Sequence, residues 1–293
     1  MAVGNYKVQK LHKPVDWVVE VPGSKSMTNR ALLMAALADG TTTLKGVLFS
    51  EDSRNFLGSL KSLGFQTKID ENAKIVTVQG CNGTIPVTSG EIYVGSAGTA
   101  ARFLTAMLAM AEGTFVINAS EQMKKRPMKP LFKVLEELGA EIVCLDKEGF
   151  LPVQVKGIRG RRPADERCSV KLDISESTQF LSALLLVSPM IKQGLHIEIT
   201  SARKDGSYIQ ITRKMMEQFG AVVAFDGERY HIKSGMKYQS GCYQIEPDVS
   251  AACYFYAAAV LTGGRTVVKN VTWNCMQGDL KFLKLLEKMG AEV

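Results

Sequence analysis

Four short segments set small polar residues just ahead of an apolar run: Gly23-Ser24-Lys25-Ser26, Gly95-Ser96-Ala97-Gly98-Thr99, Ser175-Glu176-Ser177-Thr178 and Asp248-Val249-Ser250. Such residues cap helix N-termini, where free N–H groups and the positive end of the dipole favour phosphate or carboxylate. Most Ser and Thr caps serve only their own helix, so neighbouring charge decides which could hold a ligand. Lys25 stands before the first apolar run, Arg30 about one turn into it, and Arg102 takes a similar place in the second. A cation beside an otherwise apolar helix is costly unless paired. Its partner would be a bound anion or an internal carboxylate. The chemistry these residues suit is the binding of small anionic molecules.

Other chemistries fit less well. His12, His196 and His231 are the only histidines and lie far apart in sequence, so no zinc site or Cys/His nucleophile is expected. The six cysteines include no CxxC pair and several lie in apolar runs, which points to free thiols in a reducing cytoplasm. Gly23-Ser24-Lys25-Ser26 lacks both glycines of a Walker A loop, which argues against a nucleotide there. The formal charge of +7 could serve nucleic acid. The basic clusters Lys124-Lys125-Arg126-Pro127 and 156–163 have no interleaved aromatics, however, and read as solvated loops. No apolar run approaches the roughly 20 residues of a membrane span, and no signal core opens the chain. The expectations are no metal, no cofactor, no nucleic acid and no membrane partner.

The elements that must position these residues recur. A short phrase ends four amphipathic runs: Ser62-Leu63-Gly64-Phe65, Glu137-Leu138-Gly139-Ala140, Gln218-Phe219-Gly220-Ala221 and Lys288-Met289-Gly290-Ala291. The spacing is about 70 to 80 residues, longer than solenoid repeats. Each glycine suits a left-handed helix C-cap. After the first three copies come two short strands joined by a polar turn (65–69 and 74–78, 141–145 and 150–155, 221–225 and 230–233). Upstream of each phrase lies a second helix, 30–37, 101–109, 179–187 and 252–260, apolar nearly all round and therefore expected to be buried on every side. A β-prone segment separates the two helices in each copy. The unit reads strand, helix, strand, helix, strand, strand, which is an α/β class. The fourth copy reaches Gly290 without its hairpin, so the natural chain is expected to continue past Val293.

With these residues in view, a family resemblance becomes specific. Residues 22–32 (Pro-Gly-Ser-Lys-Ser-Met-Thr-Asn-Arg-Ala-Leu) resemble the PGSKSxSNRAL signature of EPSP synthases. Gly95 to Arg102 looks like GNAGTAxR, Lys125-Arg126-Pro127 like the end of RMxxRP, and Ser177-Thr178-Gln179-Phe180 like SSQF. Tyr208-Ile209 is similar to the PYI segment, residues 246–256 to EGDxSSASYFLAA, and Met276-Gln277-Gly278-Asp279 to MQGD. The resemblance runs through essentially the whole chain in order.

It implies an inverted, barrel-like α/β fold of two domains, each of three βαβαββ units. Residues 22–240 would make a complete domain, and 1–21 with 241–293 part of a second. It also implies that Lys25 touches both substrates and is the one catalytic residue carried here. Ser26, Arg30, Ser177, Thr178 and Gln179 would bind shikimate-3-phosphate; Gly98 and Arg126 would bind phosphoenolpyruvate, with Arg102 nearby. The family's other acid and base groups fall in sequence this chain does not contain, so the chain alone is expected to be inactive. No cofactor is implied, and a monomer is. Ser96, Phe103 and Gln122 depart from the family's Asn, Pro and Arg, and Asp205-Gly206-Ser207 departs from its SKP. Two other readings are a non-catalytic anion-binding half-site and the sister enzyme acting on UDP-N-acetylglucosamine. The latter's reactive-cysteine segment is not seen.

Overall fold

The computed structural model describes residues 7, 10–158 and 168–293; the distal part of the basic segment, 159–163, lies outside them. The chain opens with β1 (Asp16–Val19) and then runs three times through one pattern. The first copy has α1 (Lys25–Leu37), β2 (Asp39–Lys45), α2 (Glu51–Ser62), β3 (Thr67–Asp70) and β4 (Ile75–Cys81). The second has β5 (Ser89–Tyr93), α3 (Gly98–Ala109), β6 (Thr114–Asn118), the short α4 (Glu121–Lys124), α5 (Lys129–Glu137), β7 (Glu141–Cys144) and β8 (Val153–Lys156). The third has β9 (Cys168–Leu172), α6 (Thr178–Val187), β10 (Leu195–Ile199), α7 (Ser207–Gln218), β11 (Val223–Phe225) and β12 (Arg229–Ile232). After β13 (Cys242–Gln244) come α8 (Val249–Thr262), β14 (Arg265–Val268) and α9 (Lys281–Lys288).

The described residues of Gly23–Ile245 make one compact unit; those of Met1–Pro22 and Glu246–Val293 make a second. In the first unit each repeat carries a four-stranded sheet, with orders β5-β6-β8-β7, β9-β10-β12-β11 and β13-β2-β4-β3. In each, the first two strands are parallel and the hairpin is antiparallel. The first repeat takes its leading strand from the far end of the unit, where β13 pairs with β2 through Cys242↔Thr43 and Gln244↔Lys45.

Strand alternation buries one face of each sheet, as with Phe115 and Ile117 on β6 or Leu195, Ile197 and Ile199 on β10. That face covers α1, α3 and α6, which lie inside. Every residue of α1 from Met27 to Leu37 is buried, and α3 and α6 are nearly as enclosed. Their apolar circumference has no other stable place.

The four repeated phrases adopt one structure. Gly64, Gly139, Gly220 and Gly290 all have positive φ, from 84° to 105°. Each glycine N–H donates back to Lys61, Glu136, Glu217 or Glu287, and the next residue's N–H to Leu60, Leu135, Met216 or Leu286, at 2.8–3.0 Å. This is the Schellman pair of bonds, and it requires the left-handed residue that glycine supplies.

In the second unit β1 pairs parallel with β14, Asp16↔Arg265 through Val19↔Val268, in a two-stranded sheet. Its small core joins Val21, Ala252 and Val268. The expectation that the fourth apolar helix is enclosed fails here: α8 buries only Val249, Ala252 and Ala259, while Tyr254 and Leu261 are 80% and 85% exposed. Apolar composition permits burial, but neighbours must supply it. A two-stranded sheet and the two-turn α9 cover one side of this helix.

Candidate anion-binding site

Three of the four sequence-marked segments open the central helices of the first unit. α1 begins at Lys25, five residues before the apolar run suggested. Thr28 and Asn29, which precede the apolar run 30–37, are both fully buried. At α1 and α3 the residues at the cap positions, Ser24 and Ala97, make no side-chain cap bond. At α6, Ser177 accepts from the Gln179 N–H at 3.2 Å, with Thr178 the first helical residue.

The densest charge lies at the start of α3. Arg102, 3% exposed, donates through Nη1 to the Gly98 carbonyl at 3.1 Å and to Gln179 Oε1 at 2.9 Å, and through Nη2 to the Pro127 carbonyl at 3.4 Å. Its Nε is buried with no hydrogen-bond partner among the described residues. Arg126 reaches the same place: a Cβ on Gly98 would lie 2.5 Å from Arg126 Nη1 and 2.6 Å from Arg102 Nη1. Glycine is what leaves room for two guanidinium groups over one helix N-terminus. Burial first, and then the Arg126 charge, lowers the Arg102 pKa to about 10, with Glu176 opposing. Arg102 therefore stays charged at neutral pH. Two like charges and an unused buried donor form a place that an anion would stabilise.

Arg30 sits deeper, 1% exposed. It donates to Thr212 Oγ1 at 2.7 Å, the Ser26 carbonyl at 2.9 Å, the Tyr208 carbonyl at 3.2 Å and Ser182 Oγ at 3.3 Å. All four acceptors are neutral. Its guanidinium lies 5.2 Å from the Phe103 ring centroid and 6.0 Å from that of Tyr208. Burial lowers its pKa to about 10. Phe103, which departs from the family proline, thus forms the apolar wall against this cation.

Lys25 has the internal carboxylate that was one alternative, because its Nζ lies 2.6 Å from Asp52 Oδ2 in the first turn of α2. The Lys25 side chain is still 52% exposed, leaving donors for a ligand. Ser26 Oγ faces Ser24 Oγ at 3.4 Å. Lys124, beside Arg126 in sequence, pairs with Glu121 at 2.8 Å on the surface as a solvated charge would. Among the described residues no helix is long and apolar enough to cross a membrane.

The helix starts are tied together by side chains. Asn29 Nδ2 donates to Thr99 Oγ1 at 2.6 Å between α1 and α3, Arg102 joins α3 to α6 through Gln179, and Arg30 joins α1 to α6 and α7. The structure therefore gathers Gly98, Arg102, Arg126 and Gln179 in one cluster, and Arg30 with Ser26 in another linked to it by Asn29–Thr99. Over residues 10–293 the sequence matches the pattern of the family described as EPSP synthase (3-phosphoshikimate 1-carboxyvinyltransferase). The chain belongs to the EPSP synthase family.

Curated relatives agree. The 3-phosphoshikimate 1-carboxyvinyltransferase of Trichormus variabilis is 41% identical over 287 residues, covering 98% of this chain and 66% of the relative. That of Shewanella woodyi is 42% identical over 282 residues, covering 95% and 65%. An EPSP synthase structure from Acinetobacter baumannii superposes with a TM-score of 0.81 at 26% identity, over 96% of this chain and 60% of that one. The chain thus spans about two thirds of the length of these family members. The fold is the family's inverted α/β arrangement of βαβαββ units.

Sequence reasoning marked Thr99 only as part of a helix cap and missed Asp52, Asn29, Ser182 and Thr212. Asn29 and Thr99 lie inside the two signature segments, so their polarity beside apolar helices was an available signal. Ser182 and Thr212 sit on helices of the third repeat, and no local pattern points from them to Arg30. Two motif segments have structural work in the second unit instead: Gln277 bonds Glu246, the Pro247 carbonyl and the Val249 N–H, and the Met276 N–H donates to Glu246.

Proposed function

We propose that the Gly23–Ile245 unit holds the anionic ends of shikimate-3-phosphate and phosphoenolpyruvate for the family's enolpyruvyl transfer. The observation that carries this reading is the convergence of Arg102 and Arg126 on Gly98, with the buried Arg102 Nε unpartnered. Phosphoenolpyruvate, with a carboxylate and a phosphate, suits two guanidinium forks over a helix N-terminus. Lys25, Ser26, Arg30, Ser177, Thr178 and Gln179 are assigned to shikimate-3-phosphate, Lys25 reaching both ligands. Arg30 also braces Ser26 and the start of α7 through its bonds to the Ser26 and Tyr208 carbonyls. These assignments rest on the motif matches and on the placement of the side chains around the central helix starts.

In the reaction the 5-hydroxyl of shikimate-3-phosphate gives up its proton and its oxygen adds to C2 of phosphoenolpyruvate, while the methylene carbon of phosphoenolpyruvate gains a proton. The tetrahedral adduct then loses phosphate, and that carbon gives a proton back, leaving 5-enolpyruvylshikimate-3-phosphate. Arg102, Arg126 and Lys25 would stabilise the phosphate and carboxylate charge throughout and align the two molecules. Lys25 is the one catalytic residue that the motif matches assign among residues 1–293, so for these residues by themselves we propose binding without turnover. A monomer in a reducing cytoplasm completes the proposal.

Calorimetry with shikimate-3-phosphate, followed by phosphoenolpyruvate, tests it. Lys25→Ala and Arg126→Ala remove exposed side chains and should leave the fold intact. Each is expected to weaken binding by about tenfold or more, the worth of one charge-assisted bond. Unchanged affinity in Arg126→Ala would remove the phosphoenolpyruvate assignment, and steady release of phosphate by the chain alone would refute binding without turnover.

A further inference from the structure

The third sheet of the Gly23–Ile245 unit brings together the two histidines that sequence distance kept apart. Along β10 the alternation sends Leu195, Ile197 and Ile199 inward and leaves His196 and Glu198 on the outer face; on β12 Tyr230 and Ile232 go inward and Arg229 and His231 outward. The register sets His196 opposite His231, with Ser169 of β9 beside one and Ala224 of β11 beside the other. Glu198, the nearest carboxylate on that face of β10, is engaged by Arg229 and Lys171.

The two rings meet edge to face, Nδ1 to Nδ1 at 2.7 Å, and His231 Nε2 lies 2.8 Å from Asp226 Oδ2. Asp226 accepts from the Glu228 and Arg229 N–H groups as well. The Asp226 carboxylate engages Nε2 of the His231 ring, so it is Nδ1 of that ring that faces His196. A 2.7 Å contact between two ring nitrogens is a hydrogen bond, which sets one proton between them.

We propose that His196 and His231 form a divalent transition-metal site of the zinc and copper class on the outer face of this sheet, the ion replacing that proton. Imidazole pairs select such metals, and a carboxylate holding the remote N–H of a ligating histidine is the usual means of orienting it. Two nitrogens at 2.0–2.1 Å from a tetrahedral ion stand about 3.3 Å apart, so a small rotation of either ring from 2.7 Å suffices. Ser169 and Ala224, the register partners of the two histidines, carry small side chains. Among the described residues no set of three His, Cys, Asp or Glu side chains is placed to hold a metal, so water completes the shell and the site is open and exchangeable. A bound ion would clip β10 to β12, outside the anion site and independently of the proposed transfer.

The test is calorimetric titration of the chain with Zn2+, alone and in excess Mg2+, against the double variant His196→Ala/His231→Ala and Asp226→Asn. The wild type should take up one more zinc per chain than the double variant, with proton release, and Mg2+ should not compete. Asp226→Asn should weaken that equivalent by about tenfold or more. Zinc should also raise the melting temperature of the wild type and not of the double variant. Should alanine disturb the fold, His196→Gln/His231→Gln carries the same readout. Equal zinc stoichiometry and affinity in wild type and double variant would put the metal on the six cysteines or elsewhere, and would overturn the proposal, as would no saturable uptake by the wild type.

Discussion

α3 and α8 are written in nearly the same way, as apolar helices that follow small polar residues and precede a β-prone segment, yet they end in opposite environments. α3 has sister helices on two sides and a four-stranded sheet behind it, and its start carries two arginines with an unused donor. α8 has a two-stranded sheet and leaves Tyr254 and Leu261 exposed. Its start is already neutralised, since Asp248 Oδ1 accepts from the Ser250 N–H at 3.0 Å, the Ala251 N–H at 3.3 Å and Ser250 Oγ at 2.5 Å. The difference lies in what each start is left with: α3 has two cations and an unused donor, whereas α8 has a carboxylate that already accepts from its first N–H groups.

The comparison can be broken most sharply in the core. Leu33→Ala in α1 should cost about 2–5 kcal/mol in urea unfolding, whereas Leu261→Ala in α8 should stay within about 0.5 kcal/mol. A comparable loss for Leu261→Ala would mean that α8 is covered in solution and end the contrast. Next in size, Arg102→Gln should weaken phosphoenolpyruvate binding by about 1.5–3 kcal/mol in calorimetry, while Asp248→Asn should leave it unchanged. At the caps themselves, Asp248→Ala should destabilise its unit by about 1 kcal/mol, and Ser24→Ala by clearly less, because Ser24 makes no cap bond. Gly98→Ala should also change stability little, by under about 1 kcal/mol in thermal melting. Its consequence should appear in affinity instead, because the added methyl displaces both guanidinium groups.

Much of this was legible in the sequence, for local reasons. The Schellman glycines, the apolar circumference of α1, α3 and α6 and the cations beside them are written in a few neighbouring residues each. What was not legible depends on chain brought from far away. Arg30 is lined by Ser182 and Thr212, 152 and 182 residues distant. His196 and His231 meet only because strand register sets them opposite one another. The apolar run 30–37 placed the start of α1 too late, since the polar turn before it is held by distant partners, Asn29 by Thr99 and Thr28 by the Leu48 N–H. The exposure of α8 could not be read from its composition, which is as apolar as that of its buried counterparts.

The pairing of β13 with β2 has a consequence for synthesis. As the chain emerges from the ribosome, the second and third repeats can each assemble a sheet from consecutive sequence. The first cannot, because its edge partner is made 199 residues later. Until Cys242–Gln244 appear, the N–H and C=O groups of Thr43–Lys45 form an open strand edge, the kind of edge that recruits other chains. The earliest-made repeat is therefore the last to be sealed, and the nascent protein is most in need of protection while its middle is being translated.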